Sequence, residues 1–332
     1  EHWLAGRFAF LADKPPVLLT LGVLGGAFGI ADLFVSIALD RRPPKILDAV
    51  DKHIGGSKKK DDALTKSIQE AALCLQAHEN EIVRITAHDG TPLVGHFIPA
   101  PQPRRVIIAF HGWRSKWYKN FGLQSKFWYE DGCSVLYVEQ RGQNESGGAY
   151  MGFGMTERYD CLDWINFIIG KCGAELPIYL AGVSMGAATV LMASGLALPE
   201  NVHGILADCG YTSPRAIFRH VAQKNLHIGY GVKGKIADEI YKHKLRMDPG
   251  ACSAVQELRR ATVPVLFIHG TADRFVPIEM TFENYLACAS PKELLVVPGA
   301  GHTYCCAVDP ERYRKTEEEF FAKWDNARPA QP

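Results

Sequence analysis

Three polar residues of this chain have the types and the order needed for nucleophilic attack on a carbonyl group. Ser184 lies in a Gly-x-Ser-x-Gly pattern, Asp273 follows an apolar run ending in His269-Gly270, and His302 follows a second apolar run. A serine hydroxyl is a weak nucleophile at neutral pH until a neighbouring imidazole accepts its proton. A carboxylate beside that imidazole fixes its tautomer and stabilises its charged form. The sequence therefore predicts Ser184 as nucleophile, His302 as base and Asp273 as the carboxylate that orients the base.

The residues around Ser184 predict a sharp turn between a strand and a helix. The apolar run at 177–180 is typical of a buried strand, and Met185 to Leu198 is rich in small and apolar residues that favour a helix. Glycine at positions 182 and 186 leaves room for the strand and the helix to approach closely. This turn would lift the hydroxyl above the sheet edge, with the positive helix N-terminus beneath it.

Two later apolar runs predict strands that deliver the other two residues. The segments 263–270 and 293–297 are continuously apolar or nearly so, and Asp273 and His302 come just after them. Open α/β sheets place their sites at the carboxyl ends of their strands, so both side chains are expected at the same edge as Ser184. Asp208 also follows a predicted strand and is the second candidate for the carboxylate.

Length and composition limit the classes of function. The chain has 332 residues, of which 47% are hydrophobic, and about 250 residues suffice for one α/β domain. A net charge of +1 gives no electrostatic case for a nucleic-acid partner. The sequence contains no P-loop, no zinc-type Cys/His spacing and no dinucleotide-binding glycine turn, so neither a metal nor a cofactor is predicted.

The cysteines indicate a reducing compartment. Their number, nine, is odd, and they are scattered without the spacing of a disulfide framework. The adjacent pair Cys305-Cys306 follows the predicted base closely. Packing is the expected role of this pair, and a redox switch is the alternative.

The N-terminal part, residues 1–60, is predicted to be a hydrophobic segment followed by a hydrophilic linker. Val17 to Leu39 is long enough to span a bilayer, although Asp32 and four glycines weaken that interpretation. The basic residues after the segment outnumber those before it, which predicts a membrane-associated protein with its catalytic domain on the cytoplasmic side. The alternatives are a signal peptide, or a helix of a soluble cytoplasmic protein packed on the domain or on a second copy.

Residues 61–332 are predicted to form the catalytic domain. Alternating runs at 81–87 and 93–98 predict a hairpin at an antiparallel sheet edge. The polar, helical region at about 210–261 is long for a connection between two strands, which favours a cap over the site. The cap's large apolar residues could line an acyl or aromatic pocket or form the cap's own core; they are Tyr211, Phe218, Tyr230, Ile236, Tyr241 and Leu245.

These motifs together resemble the α/β-hydrolase superfamily, and more narrowly the bacterial prolyl-oligopeptidase-like and cinnamoyl-esterase-like serine hydrolases. The resemblance covers about residues 80–325. It implies an α/β-hydrolase fold, with a mostly parallel central sheet of about eight strands, helices on both faces and a small helical cap. The residues that carry it are His111-Gly112, Gly182-Val183-Ser184-Met185-Gly186, His269-Gly270-Thr271-Ala272-Asp273 with Phe275-Val276-Pro277, and Gly301-His302.

The resemblance also implies an oxyanion hole. In such hydrolases one donor comes from the loop after an early central strand and the other from the residue after the nucleophile. The corresponding donors here are the backbone N–H groups of Trp113 and Met185. His111, at the start of that loop, is expected to brace it.

The implied activity is hydrolysis of a small carboxylic ester through an acyl-enzyme. A serine peptidase acting on short peptides is the second possibility, and a thioesterase or acyltransferase the third. A catalytically inactive binding scaffold is a remote alternative, because an intact triad argues against it.

Overall fold

A computed structural model describes residues 15–42, 44 and 62–326, with side chains described from Gly25 onward except that of Asp62. The predicted linker at 53–60 lies outside the described residues. The organising element is one eight-stranded sheet in the strand order β1-β2-β4-β3-β5-β6-β7-β8. Strand β2 runs antiparallel to both of its neighbours, and the other adjacent pairs are parallel, as predicted for this fold. The strands are β1 (Glu81–Thr86), β2 (Pro92–Ile98), β3 (Arg105–Phe110), β4 (Cys133–Glu139), β5 (Ile178–Val183), β6 (Val202–Asp208), β7 (Val265–Gly270) and β8 (Lys292–Val297).

Helices cover both faces of the sheet, because the central strands carry apolar side chains on both sides. Along β3, Val106 and Ile108 belong to one apolar core and Ile107 to the other, as the alternation of a strand requires. The helices are α1 (Pro15–Leu39), α2 (Asp62–Ala77), α3 (Trp117–Glu130), α4 (Glu157–Cys172), α5 (Met185–Ala193), α6 (Pro214–His220), α7 (Gly231–Leu245), α8 (Ala254–Leu258), α9 (Ile278–Ala287), α10 (Cys305–Val308) and α11 (Pro310–Trp324).

The C-terminal half of α1 packs against the domain. Ala31, Val35 and Leu39 are buried in the same core as α4 and α5, and the helix lies along α7. In the part of the chain that the structure describes, no helix has the length and apolar character needed to cross a membrane. This finding does not support the anchor predicted for Val17 to Leu39, although the first side chains of that segment lie outside the described ones.

The region predicted as a cap contains α6, a π-helical turn at Val221–Asn225, α7 and α8. Its aromatic residues pack as core, which favours the second of the two predicted roles. Phe218 contacts the ring of Phe34 on α1 edge to face, and the ring of Phe153 in the same way. The hydroxyls of Tyr211 and Tyr241 donate to backbone carbonyls of residues 153 and 152.

The cysteines are all free thiols, and seven of the nine, including Cys305 and Cys306, are buried in the described structure. Burial raises the pKa of both thiols of this pair. A thiol that remains protonated and buried is a poor nucleophile and a poor redox sensor. The structure therefore favours packing as the role of the pair.

A buried carboxyl group lies on the inner face of α11. Glu317 accepts a hydrogen bond from the Trp128 indole at 2.7 Å and is 1% exposed. Burial, with the nearby charge of Asp208 adding to it, raises the pKa of Glu317 to about 8. Glu317 is therefore held protonated near neutral pH.

This protonated glutamate predicts a pH-dependent stability. Because the folded-state pKa exceeds the unfolded one, the stabilisation is complete below about pH 4 and is lost as the pH rises towards 8. The slope for one group is at most about 1.4 kcal/mol per pH unit. Urea unfolding between pH 5 and pH 9 should show Glu317→Gln losing less stability than the wild type. The neighbouring, half-exposed Glu318→Gln is the matched control, and equal slopes for all three proteins would contradict the prediction.

Candidate active site

Ser184 lies at the predicted turn, between the end of β5 and the start of α5. Its backbone has φ 55° and ψ −114°, a conformation unfavourable for any residue other than glycine. Such a conformation costs about 1–3 kcal/mol, so the surrounding structure must hold it in place. The Ser184 N–H donates to the Asp208 carbonyl at 2.8 Å, and the Ser184 carbonyl accepts from Ala188 N at 3.0 Å. The hydroxyl is thereby held at the carboxyl edge of the sheet.

The two glycines of the Ser184 motif are required by close backbone contacts. A Cβ at position 182 would collide with the carbonyl of Gly186, and one at position 186 would collide with the carbonyl of Phe110 at the end of β3. Helix α5 thus starts in direct contact with the end of β3. The predicted helix extends to Leu198, whereas the observed one ends at Ala193.

The structure brings the three predicted residues together in one hydrogen-bonded row. The distance from Ser184 Oγ to His302 Nε2 is 2.9 Å, and that from His302 Nδ1 to Asp273 Oδ2 is 2.6 Å. Because Nδ1 faces a carboxylate, it carries the proton, which leaves the Nε2 lone pair to accept from the Ser184 hydroxyl. The arrangement can transfer the serine proton to the imidazole while the carboxylate stabilises the resulting charge.

The carboxylate of Asp273 is fully buried but well supplied with donors. Its Oδ1 accepts from the backbone N–H groups of Phe275 at 2.8 Å and Val276 at 2.9 Å. Burial alone would raise the pKa of Asp273, but hydrogen bonds from His269 and His302 hold it well below its usual range. Asp273 is therefore ionised at neutral pH, as an orienting carboxylate must be.

His269 is a second histidine on the same carboxylate. Its Nε2 lies 3.2 Å from Asp273 Oδ2 and 3.0 Å from the Val276 carbonyl, so this nitrogen faces two acceptors and must carry the proton. Its Nδ1 lies 2.7 Å from Thr281 Oγ1, which can donate to it. His269 belongs to one of the motifs that carry the family resemblance, but the motif alone predicts no role for it. Its spacing, four residues before Asp273, was the available signal.

The loop after β3, residues 111–115 and hereafter the His111 loop, passes beside Ser184. A Cβ built on Gly112 would lie 3.5 Å from the Ser184 Cβ, and Gly112 N donates to Asn120 Oδ1 at 2.9 Å. His111 Nδ1 donates to the Gly112 carbonyl at 2.7 Å, consistent with the predicted bracing role. Burial lowers the pKa of His111, which keeps its imidazole neutral.

The predicted oxyanion donors are the backbone N–H groups of Met185 and Trp113. Met185 is the first residue of α5, where the helix offers its backbone N–H no acceptor, and Trp113 follows Gly112 in the His111 loop. Two polar residues of the loop after β4 also brace the His111 loop. Gln143 Oε1 accepts from Arg114 N at 2.6 Å, and Asn144 Nδ2 donates to the Ser115 carbonyl at 2.9 Å.

The second candidate carboxylate, Asp208, has a different environment. Its Oδ2 accepts from the Tyr313 hydroxyl at 3.3 Å, and it is Asp273 that hydrogen-bonds His302. Complete burial raises the pKa of Asp208 to about 6, although nearby histidines oppose the shift. Asp208 lies at the same sheet edge, but it does not orient the imidazole.

Two groups of side chains have metal-ligand types and spacing. In each of them the donor atoms lie within 4.8 Å of one another; the groups are Cys209 with Asp273 and His302, and His88 with Asp160 and Asp163. The potential ligand atoms of both groups already bind other side chains of the protein. Asp273 holds His302, Arg141 forms an ion pair with Asp160 at 2.5 Å, and His88 binds Asp163 at 2.9 Å.

Comparison with known proteins agrees with this architecture. The uncharacterized protein YqkD of Bacillus subtilis (strain 168) is 27% identical over 230 residues, which cover 68% of this chain and 73% of YqkD. Among solved structures, the Pyrococcus furiosus esterase Pf2001 superposes with a TM-score of 0.62 at 21% identity, covering 75% of this chain and 92% of the esterase. The Pyrococcus horikoshii acylaminoacyl peptidase gives a TM-score of 0.58 at 16% identity, covering 78% of this chain and 44% of the peptidase.

A family model confirms what the sheet order and the turn at Ser184 indicate. It matches residues 106–316, from the start of β3 into α11, and includes all three residues of the hydrogen-bonded row. Its description is "Alpha/beta hydrolase family". The chain belongs to the alpha/beta hydrolase family.

Proposed function

We propose that this protein is a serine hydrolase that cleaves carboxylic esters through an acyl-enzyme intermediate. The observation that carries the proposal is the row formed by Ser184, His302 and Asp273, with distances of 2.9 and 2.6 Å. The His302 side chain is 22% exposed, so it can be reached from solvent. A nucleophile, a base and an orienting carboxylate in hydrogen-bond contact are the combination that acyl transfer requires.

In the first half-reaction, the Ser184 oxygen attacks the ester carbonyl carbon while His302 Nε2 takes the hydroxyl proton. The carbonyl oxygen becomes an oxyanion, which in this proposal accepts hydrogen bonds from the backbone N–H groups of Trp113 and Met185. His302 then gives the proton to the leaving alcohol as the carbon–oxygen bond breaks. Asp273 stabilises the imidazolium throughout.

In the second half-reaction, water replaces the alcohol. His302 takes one proton from the water, whose oxygen attacks the acyl carbon, and a second tetrahedral oxyanion forms. Its collapse returns the proton to Ser184 and releases the carboxylic acid. The chemistry needs only the groups of this chain and water.

The ester preference is supported by the similar solved structures, because this chain covers 92% of the length of one esterase among them. The acylaminoacyl peptidase is covered over only 44% of its length, which leaves much of that enzyme without a counterpart here. Peptide, thioester and acyl-transfer activities would use the same three residues. A substrate panel separates them.

The nucleophile is tested by covalent labelling. A fluorophosphonate probe should label the wild-type protein, and Ser184→Ala should abolish both labelling and hydrolysis of nitrophenyl esters, because no other hydroxyl contacts His302 Nε2 among the described residues. The panel should pair nitrophenyl esters of rising chain length with feruloyl esters, thioesters and aminoacyl anilides. If the anilides are cleaved faster than every ester, the esterase assignment is wrong and the protein is a peptidase.

The base is tested by His302→Ala. If the three residues act as a unit, the variant should lose on the order of 10⁶-fold in kcat. His88→Ala is a suitable control, because His88 also binds a carboxylate but follows β1, which lies four strands from β5 in the sheet. This variant should retain its activity within about threefold. A His302→Ala protein that keeps most of its activity would exclude His302 as the base.

The role of His269 is tested through the acid stability of Asp273. Because the folded pKa of Asp273 is lowered, its stabilisation is present above the unfolded pKa and is lost as the pH falls below about 4. His269→Phe removes a donor, so it should cost about 1–3 kcal/mol at pH 7 and lose less on acidification than the wild type. Thr281→Val, which frees the tautomer of His269, should give a smaller change. The free energy of unfolding of the wild type and of both variants is measured at pH 7 and at pH 3. If His269→Phe loses as much stability between these two pH values as the wild type does, the role of His269 is refuted.

A further inference from the structure

The end of α1 is bound to the His111 loop. The Trp113 indole donates to the Ala38 carbonyl at 2.9 Å. The Arg114 guanidinium donates to the Ile37 carbonyl at 2.8 Å and to the Asp40 carbonyl at 2.6 Å. Two consecutive loop residues therefore hold the terminus of a helix that lies far from them in the sequence.

The bonds occur at this place because a helix leaves its last carbonyls without internal partners. The carbonyls of residues 37–40, at the end of α1, all accept hydrogen bonds from elsewhere in the domain. Besides the three already described, the Leu39 carbonyl accepts from Met151 N at 2.8 Å. The C-terminal end of a helix also carries partial negative charge, which attracts the Arg114 guanidinium. The contact is thus a helix cap supplied by the His111 loop.

Arg114 links this cap to the loop backbone. Its φ of 49° is unfavourable for a residue with a side chain, and its N–H is held by Gln143 Oε1 at 2.6 Å. Its guanidinium lies over the Trp113 indole at 5.2 Å. The other braces of the loop act on its remaining residues, and they include bonds from Gln140 to His111, whereas Trp113 is anchored through its indole and through Arg114.

We propose that the end of α1, residues 37–40, positions the His111 loop for oxyanion binding, with Arg114 as the positioning residue that makes the connection. The inference rests on the proposed function, in which the Trp113 N–H binds the oxyanion. It assigns to the N-terminal segment a part in turnover although that segment contributes no reacting group. An oxyanion donor acts only when it is held at the right distance, so a loosened loop loses transition-state binding more than substrate binding.

The test compares full-length variants on the best nitrophenyl ester of the wild type. Loss of one oxyanion donor costs about 10²- to 10³-fold, so a displaced donor in Arg114→Met should cost about 10- to 100-fold in kcat, with KM changed less than about threefold. An alkylboronic acid, which forms a tetrahedral adduct on Ser184, should lose affinity by the same factor as kcat/KM. Arg114→Lys keeps a cation that can donate but loses the planar fork of the guanidinium, and it should recover part of both losses.

Two further variants separate positioning from a general effect on folding. Trp113→Phe removes the indole N–H while keeping one aromatic ring under Arg114, and it should cost about 3- to 10-fold in kcat and in boronic acid affinity. Lys244→Met is the matched control. Lys244 lies on α7 and binds the same helix end, through Asp40 Oδ1 at 2.6 Å and Ser36 Oγ at 3.2 Å. These two contacts join α1 to α7 and do not involve the His111 loop.

The outcomes are distinct. The proposal stands if the Arg114 and Trp113 variants lower kcat and boronic acid affinity in parallel at unchanged melting temperature, while Lys244→Met stays within about threefold. If Arg114→Met does not fold, the positioning role is tested by Trp113→Phe and Arg114→Lys alone. Unchanged boronic acid affinity in the loop variants, or an equal loss in Lys244→Met, overturns the positioning role and leaves the esterase assignment intact. A wild-type protein that neither hydrolyses esters nor reacts with the fluorophosphonate refutes the proposed function, and the positioning role with it.

Discussion

The close approach of α5 to the end of β3 is the constraint on which the site depends. There is no room for a Cβ at position 186 against the Phe110 carbonyl, so the helix can start only where glycine allows the contact. This contact fixes Ser184 in its strained conformation and places the His111 loop, which continues from Phe110, beside the hydroxyl. One backbone packing arrangement thus positions the nucleophile and the start of the loop that we propose supplies an oxyanion donor.

The remaining groups of the site are set by hydrogen bonds in a buried environment. Asp273 stays ionised although it is buried, because backbone N–H groups and two imidazoles point at it. Asp208 lies at the same sheet edge without such a set of donors, and burial raises its pKa to about 6. The difference between the two carboxyl groups therefore comes from their surroundings and not from their residue type.

Much of the fold and of the site was predictable from local patterns. Continuous apolar runs located the central strands, and the glycines flanking Ser184 indicated the turn, because both depend on neighbours in sequence. His269 and Arg114 were not assigned roles, because their partners, the Asp273 carboxylate and the end of α1, are set by tertiary packing. The N-terminal helix illustrates the same limit: its apolar composition predicted a membrane anchor, whereas Val35 and Leu39 are buried in the protein's own core.

The measurement that tests the central claim most directly is rapid-quench mass spectrometry during turnover of a nitrophenyl ester. We predict a transient mass increase of one acyl group on the peptide that contains Ser184, appearing before steady-state release of the acid, and its absence in His302→Ala. Steady turnover without an acyl adduct on that peptide, or with the adduct on another residue, would contradict the account.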